Sequence, residues 1–325
     1  MNVPTKCTLK DVIDDWNRNI GDINTEKTTQ TSNRNLQRHM LEFFQEVRVN
    51  KITATIILEY MAYLKNEKGL SNNTVNKHRT HLNTLFNYIM LHDDVYGLYK
   101  NPMDKVKPLK KEKANVTVYE PEQAKELLEL LRESQRHALE IVVNFAFWCA
   151  CRREETCALK WKNVNFKDKT IRICEVRTTA MGKVEERNTT KNGVVRKVGM
   201  VEWLEHILLQ EQEHQQEMKR LLGDEYEDKD FVFCHDDGKP WHPNSLSREF
   251  TNFLAANKLP EIRYHDLRHT NLSMLMTKMS AVAVAQLGGH KQVSTTTNIY
   301  GHSFNHTAEK GVEALEEIMN MENER

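Results

Sequence analysis

Apolar residues in the first hundred positions recur at helical spacing. Ile56, Tyr60 and Leu64 share one face of the stretch 52–64. Val75, His78, Leu82, Phe86 and Ile89 share one face of a second stretch, which Ser71 opens as an N-cap. Thr8, with Asp11 three residues on, forms a capping box of Thr-x-x-Asp type and starts a first helix. After residue 116 the helical pattern resumes. Glu120-Pro121-Glu122 begins a helix that runs past Leu131, and an apolar helix covers 138–150. The period then shortens. Residues 163–174 and 194–200 read as short strands, with Ile171, Ile173 and Val198 β-branched and Asn192-Gly193 as the turn signal. A charged helix follows over 202–222, then a short buried strand at Phe231-Val232-Phe233, a turn at Asp237-Gly238, and helix again. The pattern predicts a mainly α protein with a small β-sheet or hairpin element, an α+β fold.

Composition supports that reading. The chain has 325 residues with 12 Gly and 7 Pro, against about 23 and about 16 from average usage. Its length implies two domains. The boundary falls at Asn101-Pro102 and the lysines beyond it: Lys105, Lys107, Lys110, Lys111 and Lys113 with Pro108 among them. This reads either as a solvated connector or as a strap for a phosphate backbone. The expected limits are a helical domain over 1–103, a basic linker over 104–115, a second domain over 116–303 and a helical tail over 304–325.

Charge adds a gradient that the formal net charge of zero conceals. Residues 1–113 hold 18 Lys/Arg and 13 Asp/Glu, a balance of +5, while 309–325 hold two bases and six acids, a balance of −4. A basic N-terminal part can serve as a footprint for nucleic acid. Six cysteines form no disulfide or zinc framework. Cys149, Cys151 and Cys157 lie among apolar neighbours and read as buried free thiols in a reduced, cytoplasmic compartment. The first residues, MNVPTKCTLKDVIDDW, contain no apolar leader core, and the apolar run 141–151 is too short to span a membrane.

Chemistry-bearing residues stand in four separated places. Arg152 follows the apolar helix and precedes Glu155, Lys191 precedes the Gly turn, His265-Asp266-Leu267-Arg268-His269-Thr270 opens a helix, and His290 is followed ten residues later by Tyr300. Each alone has a plain structural reading: a helix ion pair, an exposed lysine, a helix cap, a core tyrosine. His265 and His269 are four apart, as in half a zinc site, but no Glu stands in the HExxH position and no third ligand is evident, so no metal is expected.

Taken in order, the set resembles the tyrosine recombinases, or phage integrase family. Cys151 to Glu155 through Leu159-Lys160-Trp161 resembles that family's first arginine box. The string 265–270 resembles its second box, and Leu287 to His290 with Thr295 to His302 its nucleophile box. The likeness covers about 116–303 well. It extends loosely to 7–100, which is similar to the helical core-binding domain of such enzymes. Two departures stand out: Ala150 where the family usually has Gly, and Leu287-Gly288-Gly289-His290 where it usually reads Leu-Gly-His.

The resemblance implies site-specific cleavage and religation of DNA through a 3′-phosphotyrosine on Tyr300, without metal or other cofactor. Arg152 and Arg268 would clamp the phosphate, and His290 would donate a further hydrogen bond. His265 would accept the phenol proton, Lys191 would protonate the leaving 5′-oxygen, and Glu155 would orient Arg152. Implied partners are double-stranded DNA with core recombination sites, a homotetramer on DNA from a free monomer, and accessory DNA-bending or excision factors. A type IB topoisomerase shares the chemistry, and a non-catalytic DNA-binding accessory protein is a third reading. In the tail, Ala308, Val312, Leu315 and Met319 share one helix face, expected to dock on its own domain or on a neighbouring subunit.

Overall fold

The computed structural model describes residues 6–96, 98–112, 117–188, 195–289 and 292–293. The chain divides into two compact units. One holds residues 1–115 with 180–183, the other 116–179 with 184–325.

The first unit is helical: α1 (Leu9–Trp16), α2 (Asp22–Asn24), α3 (Lys27–Phe44), α4 (Ala54–Asn66), α5 (Asn72–Leu91) and α6 (Asp93–Tyr96). Short polar residues set the starts. The Thr8 amide donates to Asp11 Oδ2 at 2.8 Å, completing the expected capping box. Thr53 and Ser71 cap α4 and α5 through their hydroxyls. Apolar stripes then close a core around Trp16, Phe44, Tyr60, Leu64, Leu82 and Phe86, all buried. Within it, the Tyr60 hydroxyl meets His78 Nδ1 at 2.8 Å, and the hydroxyls of Tyr88 and Tyr96 both donate to Asp15.

Much of the stretch read as a linker runs along α5, held by side chains of that helix. Asn76 Nδ2 donates to the Leu109 carbonyl at 2.9 Å, and the Leu109 amide returns a bond to Asn76 Oδ1 at 2.8 Å. Arg79 Nε donates to the Val106 carbonyl at 2.8 Å, and Asn72 and Asn73 reach the carbonyls of Lys110 and Glu112. Met103 and Val106 are buried, whereas Lys105, Lys107, Lys110 and Lys111 are exposed. Lys113 lies outside the described residues.

The second unit is built on α8 (His137–Trp148), which is central: Leu139 and every residue from Ile141 to Phe147 are buried. Around it pack α7 (Pro121–Glu133), α10 (Glu202–Leu222), α11 (Pro243–Ala256) and α12 (Tyr264–Met276). Short α9 (Arg153–Thr156) continues from α8, and α13 (Ala281–Gly288) packs on α12. Strands β1 (Val164–Asn165), β2 (Thr170–Ile173) and β5 (Arg196–Gly199) form an antiparallel sheet in the order β1-β2-β5, with Ile171 opposite Val198 and Ile173 opposite Arg196.

The sequence pattern did not show β3 (Val176–Ala180) and β4 (Lys183–Arg187), which pair as a separate two-stranded sheet. The strand expected at Phe231-Val232-Phe233 is reduced to a single bridge with Lys160, although all three residues are buried. The Asp237-Gly238 turn is present, with Gly238 at φ 78°. Cys149, Cys151 and Cys157 are free and buried. Among the described residues no helix is long and apolar enough to cross a membrane. The Asn192-Gly193 turn and the tail stripe from Ala308 to Met319 lie outside the described residues.

Candidate active site

The site begins where α8 ends. After the cap at Cys149, Ala150 turns the backbone into the left-handed region at φ 46°. The chain then re-enters helix with Arg152 as the extended N-cap of α9. Three residues on, Glu155 folds back and accepts the Arg152 amide at 2.9 Å. Its other carboxylate oxygen accepts Arg152 Nη1 at 2.7 Å. The Arg152 side chain stays 18% exposed while that of Glu155 is fully buried.

A second arginine comes from α12. Asp266, at the third position of that helix, accepts the amide and side chain of Arg263 and secures its first turn. Arg268 follows within the same helix and is almost fully buried. Its Nη1 donates to the Ala150 carbonyl at 2.6 Å, and its Nη2 donates to the Gly288 carbonyl. Arg152 Nη2 lies 3.5 Å from the next carbonyl, that of Gly289. Both guanidiniums thus meet carbonyls at the C-terminus of α13, which lack helical partners and carry the negative end of the helix dipole. Gly289 caps this helix at φ 62°.

The electrostatics follow from this crowding. Burial and the neighbouring Arg152 charge bring Arg268 down to about 9, leaving it cationic at neutral pH. Burial alone would raise Glu155, but the hydrogen bond and charge of Arg196, with the charge of Arg152, hold it at about 2. His265 is lowered to about 4 by burial and by the positive side of the site, His269 and Arg268 foremost. It is a neutral imidazole at pH 7, with one unprotonated ring nitrogen. Its ring meets His269 edge to face at 4.8 Å. Among the described residues no group of three or more His, Cys, Asp or Glu could hold a metal ion.

Of the sequence-derived set, Arg152, Glu155, His265 and Arg268 are therefore brought to one end of α8. Lys191, His290 and Tyr300 lie outside the described residues. Arg196 was not singled out from the sequence. It is buried on β5, and its Nη2 donates to Glu155 Oε2 at 2.8 Å. The signal was parity: Arg196 alternates in register with Val198, so a strand with Val198 inward also turns an arginine inward.

Residues 117–306 match the phage integrase family, and residues 8–91 match the phage integrase SAM-like domain. The chain belongs to the phage integrase family of tyrosine recombinases. It is 27% identical to the ICEBs1 integrase of Bacillus subtilis over 87% of this chain and 76% of that one. It is 26% identical to a XerC-like tyrosine recombinase of Caldanaerobacter subterraneus subsp. tengcongensis over 78% of this chain and 68% of that one. The fold is similar to that of the Tn1549 transposon integrase in complex with transposon right end DNA. There the TM-score is 0.78 at 19% identity, covering 95% of this chain and 99% of that one. A lambda integrase tetramer bound to a Holliday junction gives 0.71 at 15% identity, covering 92% and 78%. Integrase membership makes the chain a DNA recombination enzyme with this fold.

Proposed function

We propose that this integrase cuts and rejoins double-stranded DNA at core recombination sites, in the cytoplasm, through a covalent bond to Tyr300. The observation that carries the reading is the convergence of Arg152 and Arg268, from α9 and α12, on adjacent carbonyls of the α13 cap, beside a neutral His265. Two arginines held there present positive charge to a phosphodiester, whose non-bridging oxygens gain charge in the transition state.

In this mechanism the Tyr300 oxygen forms a bond to phosphorus and the bond from phosphorus to the 5′-oxygen breaks. The phenol, with an ordinary pKa of about 10, gives its proton to His265. Lys191 supplies a proton to the departing 5′-oxygen, and His290 donates to the phosphate. The 3′-phosphotyrosine keeps the phosphodiester energy, so a free 5′-hydroxyl reverses the step without a nucleotide cofactor. The arginine pair takes the charge-stabilising part that a metal plays in other nucleases. Glu155 orients Arg152.

We assign residues 1–103 as the core-binding domain, 104–115 as a basic linker, 116–303 as the catalytic domain and 304–325 as the tail. The matches to the SAM-like and integrase models support this division. Assembly on DNA as a homotetramer is supported by the fold shared with lambda integrase, described as a tetramer on a Holliday junction.

The test is Tyr300→Phe on nicked duplex DNA from the genomic flanks of the chain's own gene. Wild type should yield a protein–DNA adduct that survives denaturation. The variant should bind the same duplex and yield none. An undiminished adduct would remove Tyr300 as nucleophile.

A further inference from the structure

We propose that Arg196 is a positioning residue for cleavage, holding Glu155 so that Arg152 stays turned toward the phosphate. The inference rests on the recombinase reading above and adds a residue to it.

Glu155 divides its two oxygens. Oε1 accepts Arg152 Nη1 at 2.7 Å, and Oε2 accepts both the Arg152 amide at 2.9 Å and Arg196 Nη2 at 2.8 Å. The carboxylate is thus fixed from the far side by a guanidinium that is itself buried, its side chain 6% exposed. Arg152 has only one side-chain nitrogen on the carboxylate and can aim its remaining guanidinium donors elsewhere. Without Arg196, Oε2 is free to accept a second Arg152 side-chain nitrogen. Arginine favours such a two-pronged pair with carboxylate. That pair would draw the guanidinium back onto Glu155 and away from substrate.

One further contact, and its place in the chain, tie Arg196 to the site. A Cβ built on Gly289 would lie 3.4 Å from both Arg196 Cδ and Nη1, so the side chain lies against the α13 cap. The residue after Gly289 is His290, and Arg196 follows Lys191 by five positions on the same chain segment. One buried side chain therefore touches the acid that orients Arg152 and the cap that precedes His290, while anchoring the strand that follows Lys191. A buried arginine–carboxylate pair gives little net stability over well-packed apolar side chains. Stability alone does not account for placing this pair directly behind Arg152.

The experiment compares wild type, Arg196→Met, Arg196→Lys, Glu155→Gln and the Arg196→Met/Glu155→Gln double variant on the same nicked duplex. Two quantities are read: duplex affinity, and the single-turnover rate of adduct formation at saturating DNA. Helical content by circular dichroism accompanies each. Arg196→Met should bind within about threefold of wild type and cleave at least about tenfold more slowly, the scale of a misaimed charge donor. Arg196→Lys should recover part of that rate. The double variant should cleave no more slowly than Glu155→Gln, because both changes act through one carboxylate.

Cleavage within twofold of wild type in Arg196→Met, or multiplying losses in the double variant, would overturn the inference. Should Arg196→Met fail to fold, the decision passes to Arg196→Lys. A folded Arg196→Lys with the full wild-type rate would overturn it, and a slowed rate at unchanged affinity would support it. Absence of adduct with wild type would overturn the underlying recombinase reading instead, and this inference with it.

Discussion

Glu155→Gln replaces the negative charge that lies between Arg152 and Arg196. The carboxylate is fully buried and accepts bonds at 2.7, 2.8 and 2.9 Å. A glutamine amide must turn its NH2 toward one of these donors, leaving a buried guanidinium short of an acceptor. Breaking a buried pair in this way costs about 3–5 kcal/mol. Proton linkage gives a second route to the magnitude. Holding the carboxyl at about 2 instead of 4.5 corresponds to about 3 kcal/mol, at about 1.36 kcal/mol per tenfold. The folded pKa lies below the unfolded one, so this stabilisation is complete above pH 4.5 and is lost as pH falls toward 2. By pH 3, about 2 kcal/mol of it is gone. Urea unfolding at pH 7, 5 and 3, followed by tryptophan fluorescence, reads the difference; Trp148, Trp161, Trp203 and Trp241 all belong to the second unit. Glu155→Gln should be less stable by about 3 kcal/mol at pH 7 and by about 1 kcal/mol at pH 3. A gap that stays constant across this range would refute the ion-pair account.

Lys191→Ala should slow cleavage of ordinary DNA, and a duplex with a sulfur in place of the 5′-bridging oxygen should restore the rate, since a thiolate departs without an acid. Rescue of another lysine variant, with none for Lys191→Ala, would move the general acid elsewhere. Replacing Lys105, Lys107, Lys110, Lys111 and Lys113 with glutamine should weaken binding to every duplex and flatten its salt dependence. An unchanged salt slope would leave those lysines as connector residues only.

What the sequence made legible follows from how local each signal is. The capping box at Thr8 and the Ser71 cap with its apolar stripe name α1 and α5, because a helix end and a helix face are set within a few residues. The β3–β4 hairpin has no such mark. Its strands are only partly buried, so apolar alternation is faint, and its turn puts Met181 as well as Gly182 at positive φ. The sequence left the stretch 106–112 as either a solvated connector or a strap for a phosphate backbone, and Lys107, Lys110 and Lys111 do face solvent. What fixes it is a row of amide and guanidinium side chains more than twenty residues away on α5, a contact that composition does not reveal. The site divides in the same way. Arg152, His265 and Arg268 were readable as ordered types, whereas Arg196 acts through Glu155 and becomes visible only when β5 is paired and its inward face is known.

Ala150 joins sequence to site through one dihedral angle. The recombinases usually carry glycine here, and the structure shows the physical reason: φ is 46°, in the left-handed region. That turn aims the Ala150 carbonyl at Arg268 Nη1, 2.6 Å away. An alanine held there costs roughly 1–2 kcal/mol. At an ordinary buried position, alanine to glycine loses about 0.5–1 kcal/mol in backbone entropy and about 0.8 kcal/mol with the buried methyl. At Ala150, which is 4% exposed, the released strain offsets both. Ala150→Gly should therefore unfold within about 1 kcal/mol of wild type, where an unstrained site would lose about 1.5 kcal/mol. Its cleavage rate should also be preserved, because the carbonyl keeps its direction toward Arg268. Chemical denaturation and single-turnover adduct formation measure the two effects. A loss of about 1.5 kcal/mol or more would mean that Ala150 carries no strain, and that this departure from the family pattern has a cause other than the one its backbone angle implies.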